Sequence, residues 1–157
     1  MHFLPDRPCS TCNLSLFLHE ITDTRLSGNA EYNLRVLTAN KLYGVPPSAF
    51  QPDPENLLAT NDTRVLSAIS EDGYIQYVQS TRVPSSGMPG VFHGFLHIET
   101  GEIDANYITS DTMEYAYPSI AFAGNKAFPH ASVITFSHSS VLDFPGTSAI
   151  LHNREVV

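Results

Sequence analysis

The chain has 157 residues, a formal net charge of −8 and only 15% charged residues. Because binding to a phosphate backbone depends on clustered Lys and Arg side chains, this charge argues against a nucleic-acid-binding protein. No uncharged stretch reaches the ~20 residues that a helix needs to cross a bilayer, so we expect no membrane span.

The N-terminal extension, residues 1–13, contains a Cys-x-x-Cys motif formed by Cys9 and Cys12. A zinc site would need a second pair of ligands, which the sequence does not offer. A thioredoxin-like site would need an adjacent helix, which the sequence does not predict. The motif therefore favours a disulfide or two plain thiols over metal or redox chemistry. Met1–Asp6 has no basic start and no apolar centre, so a secretion signal is expected only outside this chain.

Residues 14–42 contain two β-rich runs, Leu14–Ile21 and Asn33–Thr38, with a turn-forming sequence at Ser27–Asn29 between them. They predict a pair of strands. The following residues, 43–61, include four prolines. Since proline lacks a backbone donor and is excluded from central strands, we expect this segment to run over the surface as a connector between two sheets.

Residues 62–110 predict four consecutive antiparallel strands. Asp72-Gly73, between the first two runs, is among the strongest sequence signals for a tight hairpin. A Pro- and Gly-rich loop and a Glu-Thr-Gly-Glu turn separate the later runs. The predicted strands are Arg64–Ile69, Tyr74–Ser80, Val91–Ile98 and Ile103–Thr109.

Residues 111–157 predict three more strands, each preceded by an aromatic-proline pair. Proline can open a strand without breaking its hydrogen-bond ladder, so we place these pairs at the strand starts. The pairs are Tyr117-Pro118, Phe128-Pro129 and Phe144-Pro145. The strands that follow them are Ser119–Ala123, Ala131–His138 and Ser148–His152.

The nine predicted strands fall into groups of two, four and three, which indicates an all-β protein. Four-stranded antiparallel blades repeated at about 45 residues are typical of a β-propeller. On this interpretation residues 14–42 are the outer half of one blade, residues 62–110 are a complete blade, and residues 111–157 are three strands of the next. Such a partial ring leaves sheet edges unpaired, so the expected partners are the remaining blades of a longer chain or other copies of itself.

Three strings of the sequence resemble a repeat in large, mostly uncharacterised secreted bacterial proteins with a sialidase-like β-propeller. They are Tyr-Ala-Tyr-Pro-Ser-Ile-Ala-Phe from Tyr115, Val-Ile-Thr-Phe-Ser-His-Ser-Ser from Val133, and Phe-Pro-Gly-Thr-Ser-Ala from Phe144. Similar segments begin at Asn61 and Phe95. The resemblance implies a propeller fold and an extracellular or cell-surface location.

The resemblance does not extend to the chemistry of a sialidase. An Asp-box reads Ser-x-Asp-x-Gly-x-Thr-Trp, whereas Ser70–Tyr74 places its glycine one position early and the chain has no Trp. Glycoside hydrolysis needs two paired carboxyl groups, and the sequence gives no indication of such a pair. The candidate carboxylates lie in predicted strands or turns, where solvated or turn-capping roles are favoured. They are Glu20, Asp62, Glu99, Asp104 and Glu114.

Asp62 and Arg64 flank a strand start and lie on the same side of it, because side chains alternate with period two. Together with Tyr77 they are the candidate ligand-binding residues, and a structural ion pair is the alternative for the two charges. Asp53 and Glu55 could join Asp62 in a calcium site, but the spacing of a dedicated calcium loop is missing. No cofactor is predicted.

His93 and His97 are four residues apart in a predicted strand, about 13 Å, which is too far for one shared metal ion. They are interpreted as surface or interface residues. With no catalytic motif in the chain, the sequence favours an extracellular binding or scaffolding module with a glycan or protein ligand. The alternatives are a fragment of a sialidase-like glycoside hydrolase and a structural component of a surface assembly.

Overall fold

The computed structural model describes residues 12–22 and 30–153, which form nine β-strands and no helix. The all-β prediction is confirmed, and each predicted strand overlaps an observed one. The described part of the chain has no helix long and apolar enough to span a membrane. The strands are β1 (Asn13–Thr22), β2 (Glu31–Tyr43), β3 (Val65–Glu71), β4 (Tyr74–Arg82), β5 (Pro89–His97), β6 (Ile103–Ile108), β7 (Glu114–Phe122), β8 (Ser132–Ser139) and β9 (Gly146–His152).

The strands build two sheets. One has six strands in the order β1-β2-β6-β5-β4-β3, and the other has three in the order β7-β8-β9. Strands β3 to β6 are consecutive antiparallel neighbours, as the sequence predicts. The β1–β2 hairpin, however, joins the same sheet through a parallel pairing of Ala39 with Ile103. The larger sheet is therefore mixed, and the separate four-stranded blades expected from the sequence are not seen as such.

The turn between β3 and β4 has the geometry that its sequence demands. Glu71 pairs with Tyr74, so the loop consists of two residues, Asp72 and Gly73. Both have positive φ, 46° and 80°. A type I′ turn requires positive φ at both central residues, which explains why Asp-Gly occurs here.

The Tyr117-Pro118 pair lies inside β7, so the prediction that it precedes the strand is wrong. The register of β7 against β8 shifts between Ala116 and Ser119, which marks a β-bulge, and Tyr117 has a φ of 51°. A bulge leaves residues outside the ladder, so the missing donor of Pro118 costs no strand pairing. The backbone N–H of Tyr117 instead donates to Ser80 Oγ at 3.1 Å, across to the other sheet.

The connector at residues 43–61 does not run wholly over the surface, as expected from its prolines. Ala49 is completely buried and forms a short antiparallel bridge with Leu58. Thr60 is also buried, and its hydroxyl donates to the Pro47 carbonyl at 2.7 Å. These bonds satisfy the backbone locally, which allows the middle of the segment to pack against the fold.

Two hydrophobic clusters lie on opposite faces of the β4–β5 pair. The first cluster is covered by the β1–β2 hairpin and has Leu37, Ala39, Tyr77, Phe92, Leu96, Ile103 and Ala105 as its buried members. The second cluster lies between the two sheets and contains Val78, Val91, Ile120, Ile134 and Phe136. Strands β4 and β5 are consequently buried on both faces.

A buried polar network also joins the two sheets. The Gln76 Oε1 atom accepts the Ser132 hydroxyl at 3.0 Å and lies 3.1 Å from His93 Nε2. The Gln76 amide nitrogen donates to the His130 carbonyl at 2.9 Å. Because unpaired buried polar groups are costly, these bonds fix the position of the smaller sheet over β4 and β5.

Candidate functional site

The structure brings Asp62 and Arg64 together in an exposed loop. Arg64 Nε donates to Asp62 Oδ2 at 2.8 Å and to Oδ1 at 3.0 Å, while 38% of the Asp62 side chain and 77% of the Arg64 side chain remain exposed. The hydrogen bond from Arg64 holds the pKa of Asp62 below its usual range. The pair closes a local turn, and its role in ligand binding stays a prediction.

Tyr77 lies apart from that pair, inside the first hydrophobic cluster. It is 3% exposed, and a Cβ atom added at Gly94 would fall 2.1 Å from Tyr77 Cζ, so the ring lies directly over this glycine. Its hydroxyl has no hydrogen-bond partner among the described residues. Burial raises the pKa of Tyr77, with a smaller contribution from Tyr43, and keeps the phenol neutral. The structure therefore does not bring Tyr77 to the surface with Asp62 and Arg64.

The residues considered for metal binding form local contacts. Asp53 accepts hydrogen bonds from the Asn56 side chain at 2.7 Å and from the Glu55 backbone at 3.1 Å, which lower the pKa of Asp53. Within residues 12–22 and 30–153, no three His, Cys, Asp or Glu side chains are grouped so as to hold a metal ion. Cys12 is disulfide-bonded. Cys9 lies outside the described residues, so the Cys9–Cys12 pair itself stays a prediction.

The two histidines of β5 have different environments. His93 is 3% exposed and faces the smaller sheet, where its ring lies 4.5 Å from that of His152 in a perpendicular arrangement. His97 is half-buried, and its Nδ1 atom accepts the Thr100 backbone N–H at 3.1 Å. His93 is thus an interface residue between the two sheets of the same chain.

The feature that sequence reasoning missed is an apolar surface on the β1–β2 hairpin. In the antiparallel register, Phe17 pairs with Val36, His19 with Leu34, and Ile21 with Tyr32. Paired residues point to the same side of a sheet, so these six side chains form one surface, which we call the hairpin face. All are exposed: Phe17 by 56%, Ile21 by 62%, Tyr32 by 61%, Leu34 by 45% and Val36 by 62%, with His19 beside them.

The opposite side of the hairpin explains why this face points outward. Leu16 and Leu18 pack against the first hydrophobic cluster. Arg35 Nη1 donates to the Ile98 carbonyl at 2.6 Å, which ties β2 to the turn between β5 and β6. With one side of the hairpin attached to the core in this way, the hairpin face is directed to solvent.

Two polar atoms of the hairpin face are in contact with each other. His19 Nδ1 and Tyr32 Oη lie 2.8 Å apart, so the one imidazole of the face is held against a neighbouring ring. A sequence signal for the face existed, because the run Leu14–Ile21 is apolar on both sides of the strand, which is typical of a strand covered on both faces.

Comparisons of the chain with protein-family models, with curated proteins and with solved structures found no match.

Proposed function

We propose that this chain is a binding or scaffolding module of an extracellular protein, and that a second copy of the chain docks on the hairpin face. The observation that carries the proposal is the exposure of five apolar side chains on one side of β1 and β2. Contiguous apolar surface of this kind gains free energy when it leaves water, and on soluble proteins it commonly marks an interaction site.

A second copy suits this face for an electrostatic reason. The chain carries a net charge of −8, so two copies have charges of the same sign and repel each other at long range. The hairpin face has no acidic or basic side chain other than His19. Two such faces related by a two-fold axis would pack sheet on sheet without burying an unpaired carboxylate, and the contact would be self-complementary.

The proposal includes the β-propeller interpretation of the two sheets. It is supported by the order of β3 to β6, which run as consecutive antiparallel neighbours, and by the same order of β7 to β9 in the smaller sheet. The two sheets pack face to face through Val78, Val91 and Ile134. Adjacent blades of a propeller pack in this manner. The outer edge of β9 would then pair with the fourth strand of its blade.

The test is the mass of the chain in solution, measured by light scattering after size-exclusion chromatography over a range of concentrations. We expect the wild-type chain to reach the mass of two copies as its concentration rises. Phe17→Glu should return it to the mass of one copy, because association would bury an unpaired charge. The matched control is Phe144→Glu, which adds the same charge at a side chain that is 67% exposed in the loop between β8 and β9.

The control variant should associate as the wild-type chain does. A wild-type chain that keeps the mass of one copy at every concentration would contradict the proposal. So would a Phe17→Glu variant that associates as strongly as Phe144→Glu. Circular dichroism of each variant establishes that the strands are intact, so that a change in mass reports on the face.

A further inference from the structure

A cavity of about 380 Å³ lies at the end of the two packed sheets remote from the β5–β6 turn. The connector, the loop before β5, the segment leading into β7 and the loop after β8 line it, and it is open to solvent on one side. Its walls combine apolar side chains with three carboxylates, and no Lys or Arg lines it. The apolar residues include Phe50, Met88, Met113 and Leu142, and the carboxylates are Asp111, Glu114 and Asp143.

Glu114 is the buried carboxylate of this cavity. It is only 3% exposed, at the first position of β7. Its Oε2 atom accepts the backbone N–H of Phe50, whereas its Oε1 atom receives no hydrogen bond and no ion pair from any described residue. Burial raises the pKa of Glu114, and the Phe50 N–H opposes that change. A carboxylate can accept about four hydrogen bonds, so this one has unused capacity on the side of the cavity.

Ser139 supplies an unsatisfied hydroxyl next to Glu114, behind the residues that line the cavity. The two residues are direct partners in the β7–β8 ladder, so their side chains project from the same side of the sheet with Cβ atoms about 5 Å apart. Ser139 is completely buried, and its hydroxyl has no hydrogen-bond partner among the described residues. Buried polar atoms are rarely left unpaired in a folded protein, so the Ser139 hydroxyl beside Glu114 indicates a missing ligand or water at this position.

We infer that the cavity binds an organic cation with an apolar body, such as an alkylammonium group, whose charge pairs with Glu114. An ammonium group donates up to three hydrogen bonds and has no acceptor, which matches a carboxylate oxygen. Its methylene chain would pack along Met88, Met113 and Phe50, as a lysine stem packs along apolar surface.

The acidic residues at the edge of the cavity also favour a positively charged ligand. Asp111 is exposed and carries no hydrogen bond from another described residue, so it adds negative potential at the entrance. Asp143 is also exposed, but it accepts the Ser140 hydroxyl at 2.8 Å and holds the loop after β8. An anionic ligand would meet three carboxylates and no Lys or Arg, which disfavours its binding.

An alkylammonium group is carried both by free amines and by the lysine side chains of proteins. The test uses the full chain labelled with 15N and follows its backbone amides during titration with hexylammonium, with hexanol, with hexanoate, and with a tripeptide Gly-Lys-Gly blocked at both ends. The Phe50 amide reports directly, because its N–H is bonded to Glu114. We expect saturable shifts at Phe50 and Glu114 with hexylammonium, and none with hexanoate.

The matched variants are Glu114→Gln and Glu102→Gln. The glutamine at position 114 keeps an acceptor for Phe50 but removes the charge, and should weaken hexylammonium binding at least about tenfold. Glu102 is an exposed carboxylate in the turn at the opposite end of the β5–β6 pair, and its replacement should leave the affinity unchanged. Both substitutions remove one negative charge, so a general electrostatic effect would appear in both.

Two results would overturn the inference: hexanol shifting the same amides with equal affinity, or Glu114→Gln binding hexylammonium as well as the wild-type chain does. Saturation by the lysine tripeptide at the same amides would identify a protein side chain as the source of the cation. Saturation by hexylammonium without any response to the tripeptide would instead identify a free amine. Either of these two results supports the cation site.

Discussion

The β1–β2 hairpin and the β4–β5 pair are both antiparallel strand pairs of one sheet, yet they differ in how their two faces are covered. In β4 and β5 almost every residue is buried, because the first cluster covers one face and the smaller sheet covers the other. In β1 and β2 only the side facing the core is covered. The hairpin is anchored at its core side and open on its other side.

The exposed side of the hairpin carries apolar residues, whereas a covered side of the β4–β5 pair carries polar ones, which is the reverse of what burial favours. The exposed hairpin face carries Phe17, Ile21 and Val36, while the covered face of β4 that meets the smaller sheet includes Gln76 and Ser80. Apolar residues in solvent and polar residues in the interior both cost free energy unless a partner compensates. Gln76 has its partners within the chain. The hairpin face has none among the described residues, which is why we assign it an external one.

The largest effect should come from truncating the core of the central pair. Phe92 is completely buried and its ring contacts those of Tyr43, Tyr77 and Tyr107. Phe92→Ala should lower the free energy of unfolding by about 3–5 kcal/mol, measured by urea denaturation. Phe17→Ala, under dilute conditions, should change it by less than about 0.5 kcal/mol. Equal losses would mean that the hairpin face is packed within a single chain.

Glycine at position 94 should be needed for the packing of Tyr77. A Cβ atom there would lie 2.1 Å from the buried ring, so Gly94→Ala must displace it and should cost about 1–3 kcal/mol of unfolding free energy. In a Tyr77→Leu background the same change should cost much less, which a double-mutant cycle measures. A coupling energy of zero would show that the ring and the glycine are independent.

The polar residues of β4 offer a matched comparison between satisfied and unsatisfied amides. Gln76→Leu removes three hydrogen bonds to buried partners and should destabilise the chain by about 1–3 kcal/mol. Gln79 is equally buried, but its amide nitrogen has no partner among the described residues. Gln79→Leu should therefore be neutral or stabilising. The same loss at both positions in urea denaturation would contradict the network between the sheets.

The smallest effect should come from the exposed ion pair. The pKa of Asp62 is lowered in the folded chain, so the pair adds stability above the unfolded pKa of the carboxyl, and this stability is lost as the pH falls through the folded pKa. Since both side chains are exposed, solvent screens the pair, and Asp62→Asn should leave the thermal midpoint at pH 7 essentially unchanged. A large drop would reveal a contact of this loop with the core or with a ligand.

Strand positions and the β3–β4 turn could be predicted because they depend on local chemistry. Asp72 and Gly73 adopt positive φ at little cost, and the alternating runs on either side suit an extended backbone. The bulge at Tyr117 could not be predicted, since its N–H is satisfied by Ser80 of the other sheet, a contact 37 residues away. The cavity was missed for the same reason, because Glu114 and Phe50 meet only in the folded chain.

The sequence by itself determined that the chain is all-β, where its strands run and which tight turn joins β3 to β4. Each of these follows from backbone preferences and side-chain alternation over a few residues. Only the tertiary structure decided which face of each strand is covered, how β2 joins β6, and that Tyr77 is buried while the hairpin face is not. Alternation separates the two faces of a strand, but burial depends on what the rest of the chain places against them.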